Sequence, residues 1–190
     1  NAGSGTPNVH ATLRMQSSKT QRLYEDRLLR MIQMAQTKYN VQADKVALVG
    51  ISMGGFGALS IGLRHPQMFS AIVAMSPTDM EIAVRKQPDS MLYNQVYGSP
   101  ISLSYVAAMN PRELILRGAG EEQLLAWVYG TAEPDKFKIG AERLKVAAEV
   151  NGLEPHIRVV PNGEHSFENT WGGETIDWWL GLLRQWYTVE

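Results

Sequence analysis

The feature that most constrains this chain is a G-x-S-x-G sequence, Gly50 to Gly54, at the end of a short apolar run. The run, Lys45–Ile51, is rich in aliphatic and β-branched residues, which is typical of a parallel strand buried on both faces. The small residues of Gly54–Leu63 then predict a helix. A turn this tight leaves no space for side chains beside the serine, so glycine is needed on both flanks. The pattern therefore predicts that Ser52 is presented at the carboxyl end of a strand and at the start of a helix.

The rest of the chain alternates strand-like and helix-like segments. Further apolar runs predict strands over Ser70–Met75, Leu124–Tyr129 and His156–Val160. Apolar residues at helical spacing predict helices over Arg22–Tyr39, Asp135–Val150 and Thr175–Tyr187. Strands that alternate with helices form mostly parallel sheets flanked by helices. The predicted fold class is therefore α/β, and a length of 190 residues favours one domain.

Two segments depart from this alternation. Residues 1–21 are rich in Gly, Ser, Thr and Asn and are predicted to be a flexible leader, with at most a short strand over Val9–Met15. Residues 78–123 contain three prolines and several aromatic residues but no clear strand. We expect this segment to be an excursion above the sheet, where a cap would lie. Residues 22–190 as a whole form the predicted domain.

Composition and spacing exclude several classes of protein. The net charge is −1 and the basic residues are scattered, so no nucleic-acid partner is predicted. The chain has no cysteine, which excludes disulfides, a thiol nucleophile and thiolate metal sites. No cluster of His, Asp and Glu has the spacing of metal ligands, so neither a metal nor another cofactor is predicted. The longest apolar runs are too short for a membrane span.

A base for Ser52 is expected late in the chain. A serine hydroxyl is a weak nucleophile until a neighbouring base takes its proton. When the serine is presented by such a turn, the base follows the last strand and the orienting acid lies between them in chain order. His165 meets this requirement, because it lies in the loop between His156–Val160 and the last helix. The remaining histidines lie in the leader (His10), at a helix end (His65) and at a strand start (His156).

Three carboxylates compete for the role of the acid. Glu133 is the first choice, because it follows the Leu124–Tyr129 strand, where the orienting carboxylate is expected. Asp135 is the alternative, although it is also placed to cap the next helix. Asp79, after the second strand, is the remaining candidate. The acid would fix the tautomer of the His165 imidazole and stabilise the imidazolium formed during the reaction.

With these residues the chain resembles the esterase D and antigen 85-like branch of the α/β-hydrolases. The resemblance rests on Gly50–Leu59, Arg64–Phe69 and Ala74–Pro77, with shorter matches at Tyr24–Asp26, Tyr97-Gly98, Asn110-Pro111, Gly130–Glu133 and Gly163–His165. It covers most of the chain from about residue 22 onward. It implies a serine carboxylic-ester hydrolase in which Ser52 forms an acyl-enzyme that water, activated by His165, then hydrolyses. It also implies that the backbone N–H of Met53 holds the oxyanion.

One departure from the family's pattern concerns the strands that precede the elbow, Gly50–Gly54. The family has several of them, and the loop after one supplies a second oxyanion donor. Here the four predicted strands all lie from Lys45 onward, and Gly3 and Gly5 in the leader are poor substitutes. We therefore expect an α/β-hydrolase fold that lacks the N-terminal strands, as in the C-terminal portion of a larger hydrolase. Its bare sheet edge would allow a homo-oligomer or pairing with the missing portion.

The sequence leaves other functions open. An acyltransferase would use the same residues and differ in the acceptor that reaches the acyl-enzyme. A non-catalytic, hydrolase-derived fragment with a binding role is favoured by the missing strands and opposed by the retained Ser52 and His165. The expected partner is a small-molecule or carbohydrate-linked ester. Aromatic residues that would either line its pocket or, more usually, pack in the core are Tyr93, Tyr97, Tyr105 and Trp171.

Overall fold

A computed structural model describes residues 19–39, 41–87, 89–91, 93–94 and 101–188. Its strands in these ranges are β1 (Ala47–Ile51), β2 (Ala71–Met75), β3 (Leu124–Gly130) and β4 (His156–Val160). Its helices are α1 (Lys19–Tyr39), α2 (Met53–Arg64), α3 (Met80–Lys86), α4 (Leu103–Met109), α5 (Pro111–Leu116), α6 (Asp135–Val150) and α7 (Glu174–Thr188). The four predicted strands and four predicted helices are confirmed, with small shifts at their ends. The largest shift is in α1, which begins at Lys19 rather than Arg22.

The strands form one parallel sheet in the order β1-β2-β3-β4. Across the sheet, Gly50 lies opposite Ala74, Ala74 opposite Trp127, and Trp127 opposite Ile157. Parallel strands end at the same edge of a sheet, so the segments that follow them meet there. The predicted α/β class with a parallel sheet is thus confirmed, and the carboxyl edge collects the segments after all four strands.

The middle of the sheet forms the core. Every residue of β2 and β3 is buried, which explains why both segments have continuous apolar sequences. The main cluster joins these strands to α2, α5 and α6; its fully buried members include Leu59, Ile72, Ile115, Trp127 and Leu144. Burying a side chain such as Leu59 contributes about 1.5–3 kcal/mol to folding. The helix that follows the elbow and the strand that leads into the acid segment are therefore part of this core.

The 78–123 segment contains three short helices, α3 to α5, and no strand among its described residues. Residues of α3 and α4 form a second apolar cluster around Phe56 of α2; its other members are Met80, Ala83, Val84, Tyr105, Val106 and Met109. Leu114 and Ile115 of α5 enter the main core instead. Much of this segment is therefore structural, and its role as a cap stays a prediction. Tyr105 packs in the core, Tyr93 lies against the same cluster, and Tyr97 is outside the described residues.

A partly buried carboxylate connects α1 to the end of α2. Glu25 accepts two hydrogen bonds from Arg64, both 2.8 Å long, and its Oε1 lies 2.7 Å from His65 Nε2. Burial acts to raise the pKa of Glu25, but the hydrogen bonds from His65 and Arg64 outweigh it and lower the pKa below its usual value. His65 therefore has a structural partner, as its place at the helix end suggests.

The outer side of β1 has no partner strand within the described ranges. Val49 of this strand is 42% exposed, whereas the inner strands are buried throughout. Residues 1–18, which include Gly3, Gly5 and the predicted strand Val9–Met15, lie outside the described part of the chain. In that described part, each helix is too short or too polar to span a lipid bilayer.

Candidate active site

Ser52 lies in a strained turn between β1 and α2. Its φ is 56°, in the left-handed region that residues other than glycine seldom adopt, and its N–H donates to the Met75 carbonyl at 2.8 Å. A Cβ on Gly50 would collide with the Gly54 carbonyl and lie 2.8 Å from the Gly55 nitrogen. The elbow therefore needs glycine at position 50 for steric reasons, as predicted. The predicted need for glycine on the other flank is wrong, because a Cβ added at Gly54 would have no such neighbour within 4 Å. The strain places the Ser52 hydroxyl at the carboxyl edge of the sheet.

His165 and Glu133 lie beside this hydroxyl. His165 Nε2 is 2.9 Å from Ser52 Oγ, and His165 Nδ1 is 3.3 Å from Glu133 Oε1. The serine follows β1, the glutamate follows β3 and the histidine follows β4. The structure thus brings together the serine, the histidine and the first-choice acid. In this arrangement the imidazole can accept the serine proton while the carboxylate holds its other nitrogen.

The two alternative carboxylates have other partners. Asp135 is the first residue of α6, its side chain is 69% exposed, and it pairs with Lys138 at 3.3 Å. Asp79 is buried and caps α3, because its Oδ1 accepts hydrogen bonds from the Glu81 N–H and from the Asn110 amide. Its Oδ2 lies 2.9 Å from the Arg143 guanidinium. Asp79 therefore has a structural task as a helix cap. Asp135 is an exposed residue of the first turn of α6, and the cap of that helix is Pro134 rather than Asp135.

Aromatic rings hold the imidazole on two sides. The Phe137 ring stacks on His165 with the centroids 3.9 Å apart, and the Trp171 ring meets it edge-on at 4.6 Å. The Lys136 ammonium lies 4.9 Å from the centroid of the Phe137 ring. Sequence reasoning treated Phe137 only as an apolar position of α6 and left Trp171 open between pocket and core. The available signal was their position along the chain, since Phe137 closely follows the acid segment and Trp171 closely follows His165.

Ser76 is a second serine of the site, fully buried where Ser52 is half-buried, and sequence reasoning missed it. It follows β2 as Ser52 follows β1, has a φ of 52°, and donates its N–H to the Val128 carbonyl at 2.7 Å. Its hydroxyl donates to Glu133 Oε1 and accepts a hydrogen bond of 2.6 Å from Trp171 Nε1. The signal that could have identified Ser76 is its position directly after β2, which matches the position of Ser52 directly after β1.

Burial shifts the pKa values of the two titratable side chains beside Ser52, Glu133 and His165. It raises the pKa of Glu133 to about 7, although hydrogen bonds from Ser76 and the Gly130 backbone act in the opposite direction. Burial, together with the positive charge of Lys136, lowers the pKa of His165 below its usual value. Strong shifts of this kind are frequent at functional sites. The lowered pKa of His165 favours the neutral imidazole, which is able to accept a proton.

Met53 begins α2 directly after Ser52, and its side chain is 66% exposed. The first N–H groups of a helix have no carbonyl partner within that helix. They also lie at the positive end of the helix dipole. The Met53 N–H is thus suited to the oxyanion role that the resemblance implies.

Comparisons with known proteins identify the family. The family model described as "Putative esterase" matches residues 7–185. The chain is similar in structure to a ferulic acid esterase, at 22% identity over 80% of this chain with a TM-score of 0.59. It is also similar to an S-formylglutathione hydrolase from Agrobacterium tumefaciens, at 18% identity over 72% of this chain with a TM-score of 0.56. A third similar structure is a prolyl endopeptidase, at 16% identity over 85% of this chain with a TM-score of 0.67. It spans 56%, 48% and 25% of those chains, respectively.

Because the sequence identities to these solved structures are low, the structural likeness establishes the fold alone. None of the curated protein sequences compared with the chain matches it. The family model, in contrast, covers nearly the whole chain. The chain therefore belongs to the "Putative esterase" family and has the α/β-hydrolase fold.

Proposed function

We propose that this chain is a serine carboxylic-ester hydrolase that works through an acyl-enzyme. The observation that carries the proposal is the contact of His165 with Ser52 Oγ at 2.9 Å and with Glu133 Oε1 at 3.3 Å. Membership of an esterase family supports it. The proposed catalytic unit is residues 22–190. The proposed substrate is a small-molecule or carbohydrate-linked ester, which would lie beside the 78–123 segment.

In the first half of the reaction, Ser52 Oγ bonds to the ester carbonyl carbon while its proton passes to His165 Nε2. The Glu133 carboxylate stabilises the resulting imidazolium through Nδ1–H. The carbonyl oxygen becomes an oxyanion that the Met53 N–H stabilises; one such donor contributes about 2.7–4 kcal/mol to the transition state. The bond to the alcohol oxygen then breaks, and that oxygen takes the proton from His165. The acyl group stays on Ser52.

In the second half, water replaces the alcohol. His165 takes a proton from the water as the water oxygen bonds to the acyl carbon. The bond to Ser52 then breaks, and Ser52 recovers its hydroxyl proton from the imidazolium. The products are the free acid and the unchanged chain.

The test combines turnover with covalent labelling. The parent chain, Ser52→Ala and His165→Ala are assayed on p-nitrophenyl acetate and butyrate and treated with a fluorophosphonate probe. His156→Ala is the matched control, because His156 is an exposed histidine at the start of β4. We expect turnover and labelling in the parent and the control but in neither site variant. A folded parent chain that neither labels at Ser52 nor hydrolyses these esters would refute the proposal.

The pH dependence of hydrolysis should report the ionisation of Glu133. The mechanism needs an ionised Glu133, whose pKa is about 7, and a neutral His165, whose pKa is lowered. As the pH rises, the requirement for Glu133 is met last. We therefore expect kcat/KM for p-nitrophenyl butyrate to rise with pH, with a midpoint near 7.

The variant Lys136→Gln separates the two groups. Lys136 lowers the pKa of His165 through its charge, whereas the pKa of Glu133 is set by burial and by its own hydrogen bonds. If Glu133 sets the midpoint, the variant retains the parent's value. A midpoint that moves upward in the variant would assign the profile to the imidazole and contradict the prediction.

A further inference from the structure

Ser76 is a serine where the backbone favours glycine. Its φ of 52° lies in the left-handed region, and such a conformation costs on the order of 1 kcal/mol for a residue with a side chain. The residue is fully buried. A turn whose only task was to leave β2 would be served better by glycine. The side chain of Ser76 therefore needs an explanation of its own.

The hydroxyl lies in a chain of hydrogen bonds that ends at the proposed acid. Trp171 Nε1–H donates to Ser76 Oγ at 2.6 Å, which directs the single hydroxyl proton of Ser76 to Glu133 Oε1. The same Oε1 faces His165 Nδ1. Donors arranged in series polarise one another, and a hydrogen bond to a charged acceptor is stronger than a neutral one.

The two oxygens of the Glu133 carboxylate differ in their hydrogen bonds. Glu133 Oε2 is buried and has no hydrogen-bond partner within the described residues. The orientation of the carboxylate in the site therefore depends on the contacts at Oε1. Two of these come from side chains, Ser76 and His165. Nδ1–H of His165 donates in both charge states of the imidazole, and Ser76 adds a donor whose own charge stays constant.

Trp171 touches both ends of this arrangement. Its indole N–H binds Ser76, while its ring edge packs on His165 with the centroids 4.6 Å apart. The π-helical turn Phe167–Trp171 that carries it follows the histidine directly. The Trp171 side chain thus contacts both the base, His165, and the group that orients the acid, Ser76.

We propose that Ser76 and Trp171 are positioning residues, which hold the Glu133 carboxylate ionised and aimed at His165 during catalysis. The inference rests on the proposed function and deepens it. The hydrogen bond from Ser76 also lowers the pKa of Glu133 against the effect of burial, as this role requires.

The test removes the Ser76 hydroxyl in two ways. Ser76→Gly relieves the backbone, whereas Ser76→Ala retains the strain, so a change common to both comes from the hydroxyl. The matched control is Ser60→Ala, which removes a buried hydroxyl from α2 whose partner is Met109 Sδ. The readouts are the pH profiles of kcat and KM on p-nitrophenyl butyrate, the rate of fluorophosphonate labelling at Ser52, and thermal unfolding from pH 5 to 9.

We expect both Ser76 variants to lower kcat at pH 7 by roughly tenfold or more with little change in KM. The midpoint of the profile should move upward by about one to two pH units, the equivalent of a hydrogen bond to a charged group. Activity should therefore recover toward high pH. Trp171→Phe, which retains a ring but loses the N–H, should move the midpoint in the same direction by less. Ser60→Ala should leave it in place.

The outcomes separate the two proposals. A folded parent chain that neither labels at Ser52 nor hydrolyses the p-nitrophenyl esters refutes the proposed function. A parent that labels, with Ser76 variants whose midpoint stays in place, overturns only the positioning role; so does a loss that is equal at all pH values. If Ser76→Ala does not fold, Ser76→Gly and Trp171→Phe still decide the question, because a shared upward shift supports the inference and no shift overturns it.

Discussion

Replacing Glu133 with glutamine is expected to lower kcat/KM at pH 8 by on the order of 10⁴-fold, the loss seen when the orienting acid of a catalytic triad is replaced by its amide. The amide has nearly the shape of the carboxylate, but it carries no charge to stabilise the His165 imidazolium. The same variant should nevertheless be the more stable protein at that pH. The reason is the pKa of about 7 that burial imposes on Glu133.

The sign of the stability effect follows from proton binding. Because the pKa is raised from about 4.5 in the unfolded chain to about 7 in the folded one, the folded protein binds more protons between these pH values. The free energy of unfolding therefore falls as the pH rises from 4.5 to 7 and stays lower above it. A shift of this size corresponds to about 3 kcal/mol. Glutamine removes this penalty.

Thermal unfolding of the parent and Glu133→Gln at pH 5 and pH 8 checks the prediction. The unfolding temperatures should be close at pH 5, and the variant should be higher by several degrees at pH 8. Glu142→Gln is the matched control, because Glu142 also accepts a hydroxyl hydrogen bond, from Tyr129, but does not contact His165. Its activity should equal that of the parent. Full activity in Glu133→Gln would instead show that another group orients the imidazole.

Replacing Gly130 with alanine should separate the acid from the base. Gly130 ends β3, and a Cβ there would collide with the Gly163 carbonyl and lie 2.7 Å from Thr170 Oγ1. Gly163 precedes His165, and its carbonyl also accepts the Ala132 N–H at 3.0 Å. Both segments of the site are thus joined at this backbone contact. The methyl group has no space unless one segment moves.

We expect Gly130→Ala to lower kcat/KM by on the order of 100-fold, since a displacement of about 1 Å at a catalytic group has that effect. Overpacking should also lower the free energy of unfolding by about 1–3 kcal/mol. Gly57→Ala is the control: Gly57 lies within α2, and no atom lies within 4 Å of its added Cβ. That variant should retain its activity and gain up to about 1 kcal/mol from helix propensity. Full activity and stability in Gly130→Ala would mean that the two segments move independently.

Sequence patterns predicted the parts of the fold that are set by local composition. The inner strands β2 and β3 were recognisable because burial on both faces requires a continuous apolar run. The order of Ser52, the acid and His165 along the chain, together with the place of Glu133 after the Leu124–Tyr129 strand, was enough to choose Glu133 first. In contrast, α3, α4 and α5 have only 7, 7 and 6 residues, and helices of that length depend on tertiary packing rather than on propensity.

The side chains around the site were less accessible to sequence reasoning. Phe137 has the spacing of an ordinary apolar position on α6, and its stacking on His165 exists only after β3 and β4 have paired. Ser76 follows β2 as Ser52 follows β1, but nothing in its local sequence indicates its partners Glu133 and Trp171, which lie far along the chain. Such contacts are set by tertiary structure, and no local periodicity encodes them.

The hydrogen bond between Ser52 and His165 spans 113 residues of sequence. Contacts of such long range form late in folding, because the entropy of closing the loop must first be overcome. During synthesis, the elbow and β2 emerge from the ribosome well before the segment that carries the base. A nascent or partly refolded chain can therefore contain the strained serine turn and yet have no proton acceptor for it. If the proposed function holds, catalytic competence would then appear only when β4 joins the sheet and brings His165 to Ser52.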